Sequence, residues 1–217
     1  MRLACDIYKD GVTTSNAMNE DLKELILKIR PCKIIETGTH VGTGSTKAIL
    51  DALKGRTDYK LITIEANPEY CERAKGNLDF YLRQGFVELI NGITLPQYVL
   101  NSAIDNDFPR EVITDHVDSN EYLKEIDFNV PMDQLYFALE EFNFQPDLVL
   151  LDSAGHLGTK EFHYLMSLVD GTFYLILDDT LHRKHYKTMK AIRNDERFTI
   201  LKESTEKFGY AIMRYDP

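Results

Sequence analysis

The sequence predicts a doubly wound α/β fold: a seven-stranded, mostly parallel sheet with an antiparallel last strand and helices on both faces. Three observations predict it. Short apolar runs rich in β-branched residues alternate with segments of helical periodicity. A glycine-rich turn follows the first of these runs, as in sheets that bind nucleotides. Acidic side chains end several predicted strands, which would bring them together at one edge of the sheet.

The elements around the glycine-rich turn are two helices and a strand. Residues 13–30 predict a leading helical segment, because Thr13-Thr14-Ser15 offers helix caps and apolar side chains then recur at helical spacing. Residues 32–35 predict the first buried strand, and residues 45–54 predict the helix after the turn. Strand, turn and second helix form a βα unit, in which the positive N-terminal end of the helix faces the ligand crevice.

The turn itself contains three glycines, Gly38, Gly42 and Gly44. Glycine allows the backbone to approach a ligand closely. His40 replaces the middle glycine of the dinucleotide-binding pattern, and Glu36 stands two residues before the first glycine. A carboxylate is a poor neighbour for a pyrophosphate but a good acceptor for an ammonium group or for N–H donors. The turn therefore favours a ligand other than a dinucleotide.

The run of an acid, one residue and then glycines resembles the first motif of the class I S-adenosylmethionine (SAM)-dependent methyltransferases. It is most similar to that of the small-molecule O-methyltransferases, which often lack the middle glycine. The resemblance covers roughly residues 22–215 apart from an acidic insertion, and it implies a Rossmann-like sheet, SAM as the cofactor and a small hydroxylated acceptor. In this turn it implies cofactor contacts by Glu36, Gly38, Thr39, His40, Gly42 and Ser45.

The second and third predicted strands also end in candidate binding residues. Residues 59–64 form the second strand, which is followed by Glu65. A carboxylate at that position can accept hydrogen bonds from both hydroxyls of a ribose, although a strand-end acid can equally be solvated. Residues 86–90 form the third strand, and in the family the turn after it packs on the adenine. The resemblance thus adds Ala66, Asn91 and Gly92 to the cofactor contacts.

The remainder of the chain continues the alternation of strands and helices. Asp152 closes a strand over residues 146–152, and Asp178 and Asp179 follow a strand over residues 172–177. Two closing strands are predicted over 198–203 and 210–214, and helices over 69–81, 132–142, 160–169 and 184–193.

Residues 96–131 interrupt this pattern as an acidic insertion. A connection of that length inside a compact domain is usually a lid or a binding insertion. We therefore expect residues 1–217 to form a single domain in which this segment covers the acceptor pocket.

Three acids at the ends of neighbouring strands, Asp152, Asp178 and Asp179, form a candidate metal site. Their oxygens suit Mg²⁺ or another divalent cation, which could hold an acceptor hydroxyl and lower its pKa. The constellation resembles that of the metal-dependent O-methyltransferases. The alternative is that basic side chains just beyond the acid pair compensate the charge without any metal: Lys184, Arg183 or His182.

The general base is less clearly indicated by the sequence. Sugar-acting members of the family have a second acid two residues beyond the strand-four acid, and here that position is Ala154. His156 is the nearest substitute and His182 the second, since a neutral histidine can accept a hydroxyl proton at neutral pH. Asp152 completes the catalytic candidates. His156 could equally be a loop histidine bonded to the backbone.

Composition narrows the function classes. The 217 residues carry a formal net charge of -10, which disfavours nucleic acid and anionic membranes as partners. Three cysteines without a Cys-x-x-Cys pair indicate a reducing compartment, and no apolar run has signal-peptide or membrane-spanning length, so we expect a cytoplasmic protein. A homodimer stays open. Two other functions also stay open: a nucleotide-sugar or NAD-dependent enzyme, and a methyltransferase-like protein that binds a ligand without turnover.

Overall fold

The computed structural model describes residues 17–102, 108, 112, 129–153 and 157–217. Within that part of the chain, seven strands form one sheet in the order β3-β2-β1-β4-β5-β7-β6. Strand β7 runs antiparallel to both of its neighbours, and all other neighbouring strands are parallel. The predicted fold class is therefore confirmed. The strands are β1 (Lys33–Thr37), β2 (Lys60–Glu65), β3 (Val87–Asn91), β4 (Leu148–Leu151), β5 (Phe173–Asp178), β6 (Phe198–Ser204) and β7 (Tyr210–Tyr215).

Helices cover both faces of the sheet. They are α1 (Ala17–Ile29), α2 (Ser45–Ala52), α3 (Pro68–Leu82), α4 (Gln97–Leu100), α5 (Gln134–Glu141), α6 (Leu157–Leu168) and α7 (Tyr186–Ile192). Apolar side chains of α1, α2 and α3 pack in one buried cluster, and those of α5, α6 and α7 pack in the cluster on the opposite face. Neighbouring residues of β1 serve opposite faces, with Ile34 in the first cluster and Ile35 in the second, as the two-residue period of a strand requires.

The leading helix α1 packs against the sheet on the α2 face. Its apolar side chains at helical spacing, among them Leu22 and Ile26, are buried. On its other side, the Asp21 carboxylate accepts hydrogen bonds from Lys202 Nζ, at 2.7 Å, and from the Tyr210 hydroxyl. These contacts join α1 to β6 and β7. The predicted leading helical segment is therefore a packed structural helix.

The predicted insertion over residues 96–131 lies mainly outside the described residues. Its beginning forms the short helix α4, which the sequence did not predict because four residues are too few to show periodicity. Val112 is buried, and Phe108 contacts basic side chains at the beginning of α7. That the whole chain is a single domain stays a prediction.

No helix among the described residues is long and apolar enough to cross a membrane.

Candidate functional site

A cavity of ≈ 190 Å³ lies at the carboxyl ends of β1, β2, β3 and β4. The strand order turns back between β1 and β4, and ligands bind at such switch points in open α/β sheets. Six of the residues that the sequence predicted for a site lie in its wall, namely Gly38, His40, Glu65, Ala66, Gly92 and Asp152. The wall also contains Ile64, Asn67, Tyr70, Ile93, Thr94, Ser153 and Leu157.

Glu65 is a charged side chain of this wall that backbone N–H groups hold in place. One carboxylate oxygen accepts the backbone N–H of His40 at 2.6 Å, and the other accepts that of Asn67 at 2.8 Å. Burial raises the pKa of Glu65, and these N–H groups partly oppose that rise. Each carboxylate oxygen can accept a second hydrogen bond, so the group can also receive hydroxyls from the cavity.

The glycine turn brings the backbone of β1 against the backbone that follows β4. Gly38 has φ +81°, and a Cβ there would lie 2.3 Å from the Asp152 carbonyl oxygen. Gly42 has φ +75°, and a Cβ there would lie 2.9 Å from Leu78 Cδ1. Gly38 and Gly42 thus permit close contacts within the protein, and Gly38 also lies in the cavity wall. The close approach to a ligand that the sequence suggests stays a prediction. His40 adopts φ +52° and its ring meets that of Tyr70 at 4.4 Å between centroids, so two aromatic rings form one side of the cavity.

Glu36 is fully buried and lies outside the described wall of the cavity. Its carboxylate accepts three hydroxyl hydrogen bonds, from Ser45 at 2.6 Å, Thr46 at 2.7 Å and Thr63 at 2.8 Å. Burial raises its pKa, and the hydroxyls oppose that rise. Because Thr63 donates to Glu36, its oxygen accepts the hydroxyl of Thr39, 2.5 Å away. The carboxylate therefore fixes the beginning of α2 to β1 and β2.

The other predicted cofactor residues that lie outside this wall are Thr39, Gly42, Ser45 and Asn91. Asn91 Nδ2 donates to the Glu65 carbonyl at 2.9 Å, so it holds the end of β2. Direct cofactor contact by these four residues and by Glu36 stays a prediction.

Glu161 of α6 is a second fully buried carboxylate, which the sequence analysis missed. It accepts the hydroxyls of Ser153 at 2.7 Å, Thr37 at 3.2 Å and Thr94. These groups come from β1 and from the loops after β3 and β4, so one carboxylate joins three elements beneath the cavity. Burial raises its pKa, and the hydroxyls oppose that rise. Glu161 precedes the buried Leu165 by four residues and therefore lies on the same face of the helix, which was the sequence signal that could have predicted its burial.

The predicted acid cluster is present: Asp152, Asp178 and Asp179 each place one carboxylate oxygen within 4.8 Å of the others. Lys184 lies among them, and its Nζ is 2.6 Å from Asp152 Oδ1 and 2.9 Å from Asp179 Oδ2. The lysine is only 3 % exposed. Lys184, one of the compensating groups that the sequence suggested, thus donates to two of these acids.

The charges in the cluster shift one another's pKa values. Burial, together with the charges of Asp152 and Asp179, raises the pKa of Asp178 to about 8, so that carboxyl is protonated at neutral pH. Burial raises the pKa of Asp152 to about 6, with the Lys184 ammonium opposing it. Burial would also raise the pKa of Asp179, but the Lys184 ammonium outweighs it and the pKa is lowered. Burial alone would lower the pKa of Lys184, yet the carboxylates hold it well above its usual value.

Solved structures similar to this chain include several methyltransferases. One is an O-methyltransferase from Bacillus cereus in complex with S-adenosylhomocysteine (SAH). Its TM-score is 0.61 and its sequence identity 13%, and the match covers 98% of this chain and 86% of that chain. The O-methyltransferase TomG from Streptomyces achromogenes, involved in tomaymycin synthesis and solved with SAM, has a TM-score of 0.59 and 14% identity, over 97% and 83%. SAH-bound PaMTH1, a methyltransferase from Podospora anserina, has a TM-score of 0.59 and 12% identity, over 94% and 80%. This chain has the fold of these methyltransferases.

No protein-family model matches the chain, and no curated protein sequence does either. The likeness to the methyltransferase fold is therefore one of structure, at low sequence identity.

Of the two predicted catalytic histidines, only His182 can be located among the described residues, and it is not part of the cavity wall. His156 lies outside the described residues. His182 is buried away from the wall, and its Nδ1 accepts the backbone N–H of Lys184 at 3.3 Å. Asp152 is the catalytic candidate that does line the cavity.

A third histidine, His185, was not among the predicted residues. It is fully buried, and its Nε2 lies 3.2 Å from the Leu151 carbonyl oxygen. A carbonyl can only accept, so Nε2 carries the proton. Burial and the Lys184 charge lower the pKa of His185 to about 3, and the ring is neutral.

Proposed function

We propose that the protein is a SAM-dependent methyltransferase that transfers a methyl group to a hydroxyl of a small-molecule acceptor. The observation that carries the proposal is the Glu65 carboxylate, which faces the cavity at the end of β2 with both oxygens held by backbone N–H groups. A fixed pair of acceptors suits the vicinal hydroxyls of a ribose. The shared fold supports the proposal, because the similar structures were solved with SAM or SAH.

The rest of the cavity wall suits the other parts of that cofactor. Ile64, Ile93 and Leu157 offer apolar surface for a nucleobase, next to Glu65. Asp152 lines the same cavity as these residues, so within this proposal the methyl group of the cofactor would be presented near Asp152.

SAM supplies an electrophilic methyl on its sulfonium, so the protein has to align an acceptor oxygen with that methyl and remove the hydroxyl proton. Asp152 lines the cavity, and burial raises its pKa to about 6. A carboxylate of that basicity is a better proton acceptor near neutral pH than an ordinary aspartate. We assign the base to Asp152 within this proposal, and His156 stays a prediction.

The deciding experiment is calorimetric titration of the purified protein with SAH and, separately, with NAD. We expect SAH to bind and NAD not to bind, because the turn carries His40 in place of a glycine and ends beside Glu65. Binding of NAD without SAH would replace the proposal with a dinucleotide-dependent enzyme.

Turnover needs a second measurement. Transfer of labelled methyl from SAM to a panel of catechols, sugars and other hydroxylated metabolites should identify at least one product. Binding of SAH with no transfer across the panel would favour a ligand-binding protein without turnover.

The proposal also includes the partners, the location and the oligomeric state of the protein. The net charge of -10 supports a small-molecule partner over nucleic acid or an anionic membrane. A cytoplasmic location and a homodimer belong to the same proposal; fractionation and sedimentation velocity would test them.

A further inference from the structure

Two consecutive acids point into the three-acid cluster because the chain turns sharply at the end of β5. In a regular strand, Asp178 and Asp179 would face opposite sides of the sheet. Asp179 instead adopts φ +60°, and its backbone N–H donates to Asp178 Oδ1 at 3.0 Å. This left-handed residue ends the alternation, and both carboxylates then lie within 4.8 Å of Asp152.

Lys184 is held in the cluster from several sides. Its carbonyl accepts the Thr159 hydroxyl at 3.0 Å, and its backbone N–H donates to His182. A Cβ at Gly158 would lie 2.7 Å from Lys184 Cγ, so the first turn of α6 packs directly on the lysine stem. The ammonium is thus fixed in position by packing, unlike that of a surface lysine, which is free to move.

A divalent cation in this cluster would have to share the carboxylates of Asp152 and Asp179 with the Lys184 ammonium. Mg²⁺ and Mn²⁺ bind carboxylate oxygens at about 2.0–2.2 Å, and Asp152, Asp178 and Asp179 are the acids that this cluster offers to a metal. Lys184 Nζ already donates to oxygens of Asp152 and Asp179. A metal at those oxygens would lie within a few ångströms of a buried positive charge, which is strongly unfavourable. The residues present therefore do not fit a divalent cation while Lys184 is in place.

We propose that Lys184 is the resident cation of this cluster and takes the place that a divalent metal would occupy between Asp152, Asp178 and Asp179. The site binds no catalytic metal, and Lys184 acts as a positioning residue that holds the Asp152 carboxylate beside the cavity. The consequence for catalysis, methyl transfer without a metal, rests on the proposed function.

The test is a comparison of Mn²⁺ binding by the wild type and by Lys184→Gln. The free Mn²⁺ signal in electron paramagnetic resonance falls as the ion binds, so the measurement needs no substrate. Removal of the ammonium leaves three carboxyl groups that can share an ion, and we expect Lys184→Gln to bind Mn²⁺ at least about tenfold more tightly than the wild type. Lys187→Gln is the matched control, because that lysine lies over the Phe108 ring and should leave Mn²⁺ affinity unchanged.

Adding Asp179→Asn to Lys184→Gln should abolish the gain, which would place the new site in the cluster. Mn²⁺ affinity in Lys184→Gln equal to or weaker than that of the wild type would overturn the proposal. If Lys184→Gln does not fold, the test uses the wild type alone at about 0.1 mM Mn²⁺, a concentration near the weak end of protein metal sites. Binding of one Mn²⁺ per chain would overturn the proposal, and absence of binding would support it.

The proposed function and the role proposed for Lys184 are refuted by different results. Absence of SAH binding would refute the proposed function, whatever the Mn²⁺ result. A metal requirement would appear as stoichiometric Mn²⁺ binding and loss of methyl transfer in EDTA, with SAH binding intact.

Discussion

Single side chains in this protein serve the fold and the cavity together. Glu65 fixes the backbone of His40 and Asn67 with one lone pair on each oxygen, and it faces the cavity with the others. Glu36 and Glu161, by contrast, are fully buried, and each accepts hydrogen bonds from three hydroxyls. The position of an acid at a strand end therefore does not by itself indicate that it binds a ligand.

The first residue-scale prediction concerns the ribose contact. Glu65→Ala should weaken SAH binding by about 2–3 kcal/mol, because a charge-assisted pair of hydrogen bonds is lost. Calorimetry measures the change, and circular dichroism checks that the fold persists. Glu69→Ala is the control, since that acid is exposed on the neighbouring helix α3. Equal SAH affinity in the wild type and Glu65→Ala would remove the ribose assignment.

The second residue-scale prediction separates backbone strain from a steric clash. Gly38 and Gly55 both have positive φ, +81° and +82°, but only Gly38 has a neighbour, the Asp152 carbonyl, where a Cβ would go. Gly55→Ala should cost about 1 kcal/mol of unfolding free energy from strain alone. Gly38→Ala should cost at least about 2 kcal/mol more, because two loops must separate. Urea unfolding measures the free energy of unfolding of both variants. Equal losses in the two variants would show that the backbone near Asp152 can move to admit a Cβ at Gly38 without a cost in stability.

The sequence could predict Glu65 and the three-acid cluster because each stands at the end of a recognisable strand. It could not assign the hydrogen-bond partners of Glu36, because the sequence does not distinguish a carboxylate that accepts protein hydroxyls from one that accepts a ligand. Glu161 was missed for a related reason: a helix glutamate is usually exposed, and only the hydroxyls of Thr37, Thr94 and Ser153 allow it to be buried.

At the scale of elements, the strands were predicted closely because apolar runs and their flanking turns are local signals. The beginning of α6 was placed at residue 160, whereas the helix begins at Leu157. Gly158 makes that first turn hard to predict from the sequence, since glycine is a poor helix former. A glycine is required there by tertiary packing, because a Cβ would lie 2.7 Å from atoms of both Lys184 and His185.

The element-scale prediction concerns the segment between α4 and α5. Lys160 Nζ donates to three carbonyl oxygens at the end of α4, those of Val99, Leu100 and Ser102. Phe108 lies 4.5 Å from Lys187 Nζ, close in sequence to Lys184. Replacement of residues 103–128 by a short glycine-serine linker should therefore preserve SAH binding and reduce acceptor use.

SAH calorimetry, thermal melting and a methyl-transfer assay on the shortened chain would test this. A joint collapse of SAH affinity and melting temperature would mean that the segment is core structure. Phe108→Ala is the milder comparison, because it removes one contact with the basic side chains and leaves the chain length unchanged.

At the scale of the whole molecule, His185 should make stability depend on pH. Burial and the Lys184 and His182 charges lower its pKa to about 3, and Asp179 opposes them. Between pH 6.5 and 3 the unfolded chain binds a proton at this residue and the folded chain does not, so stability falls as the pH falls below about 6.5.

The expected loss from His185 alone is about 2 kcal/mol between pH 7 and pH 5. His185→Gln should reduce the pH dependence of the unfolding free energy by that amount in urea titrations at both pH values. His163→Gln, at an exposed position on α6, should leave the dependence unchanged. A wild-type slope retained in His185→Gln would assign the acid sensitivity to other groups.

Glu36 and Glu161 lie on opposite faces of the sheet and tie the loops at its carboxyl edge to β1 from both sides. A nucleoside that enters the cavity meets contact groups that folding has already ordered, so little chain entropy remains to be lost on binding. Variant libraries should therefore keep the six hydroxyl side chains around the two glutamates constant.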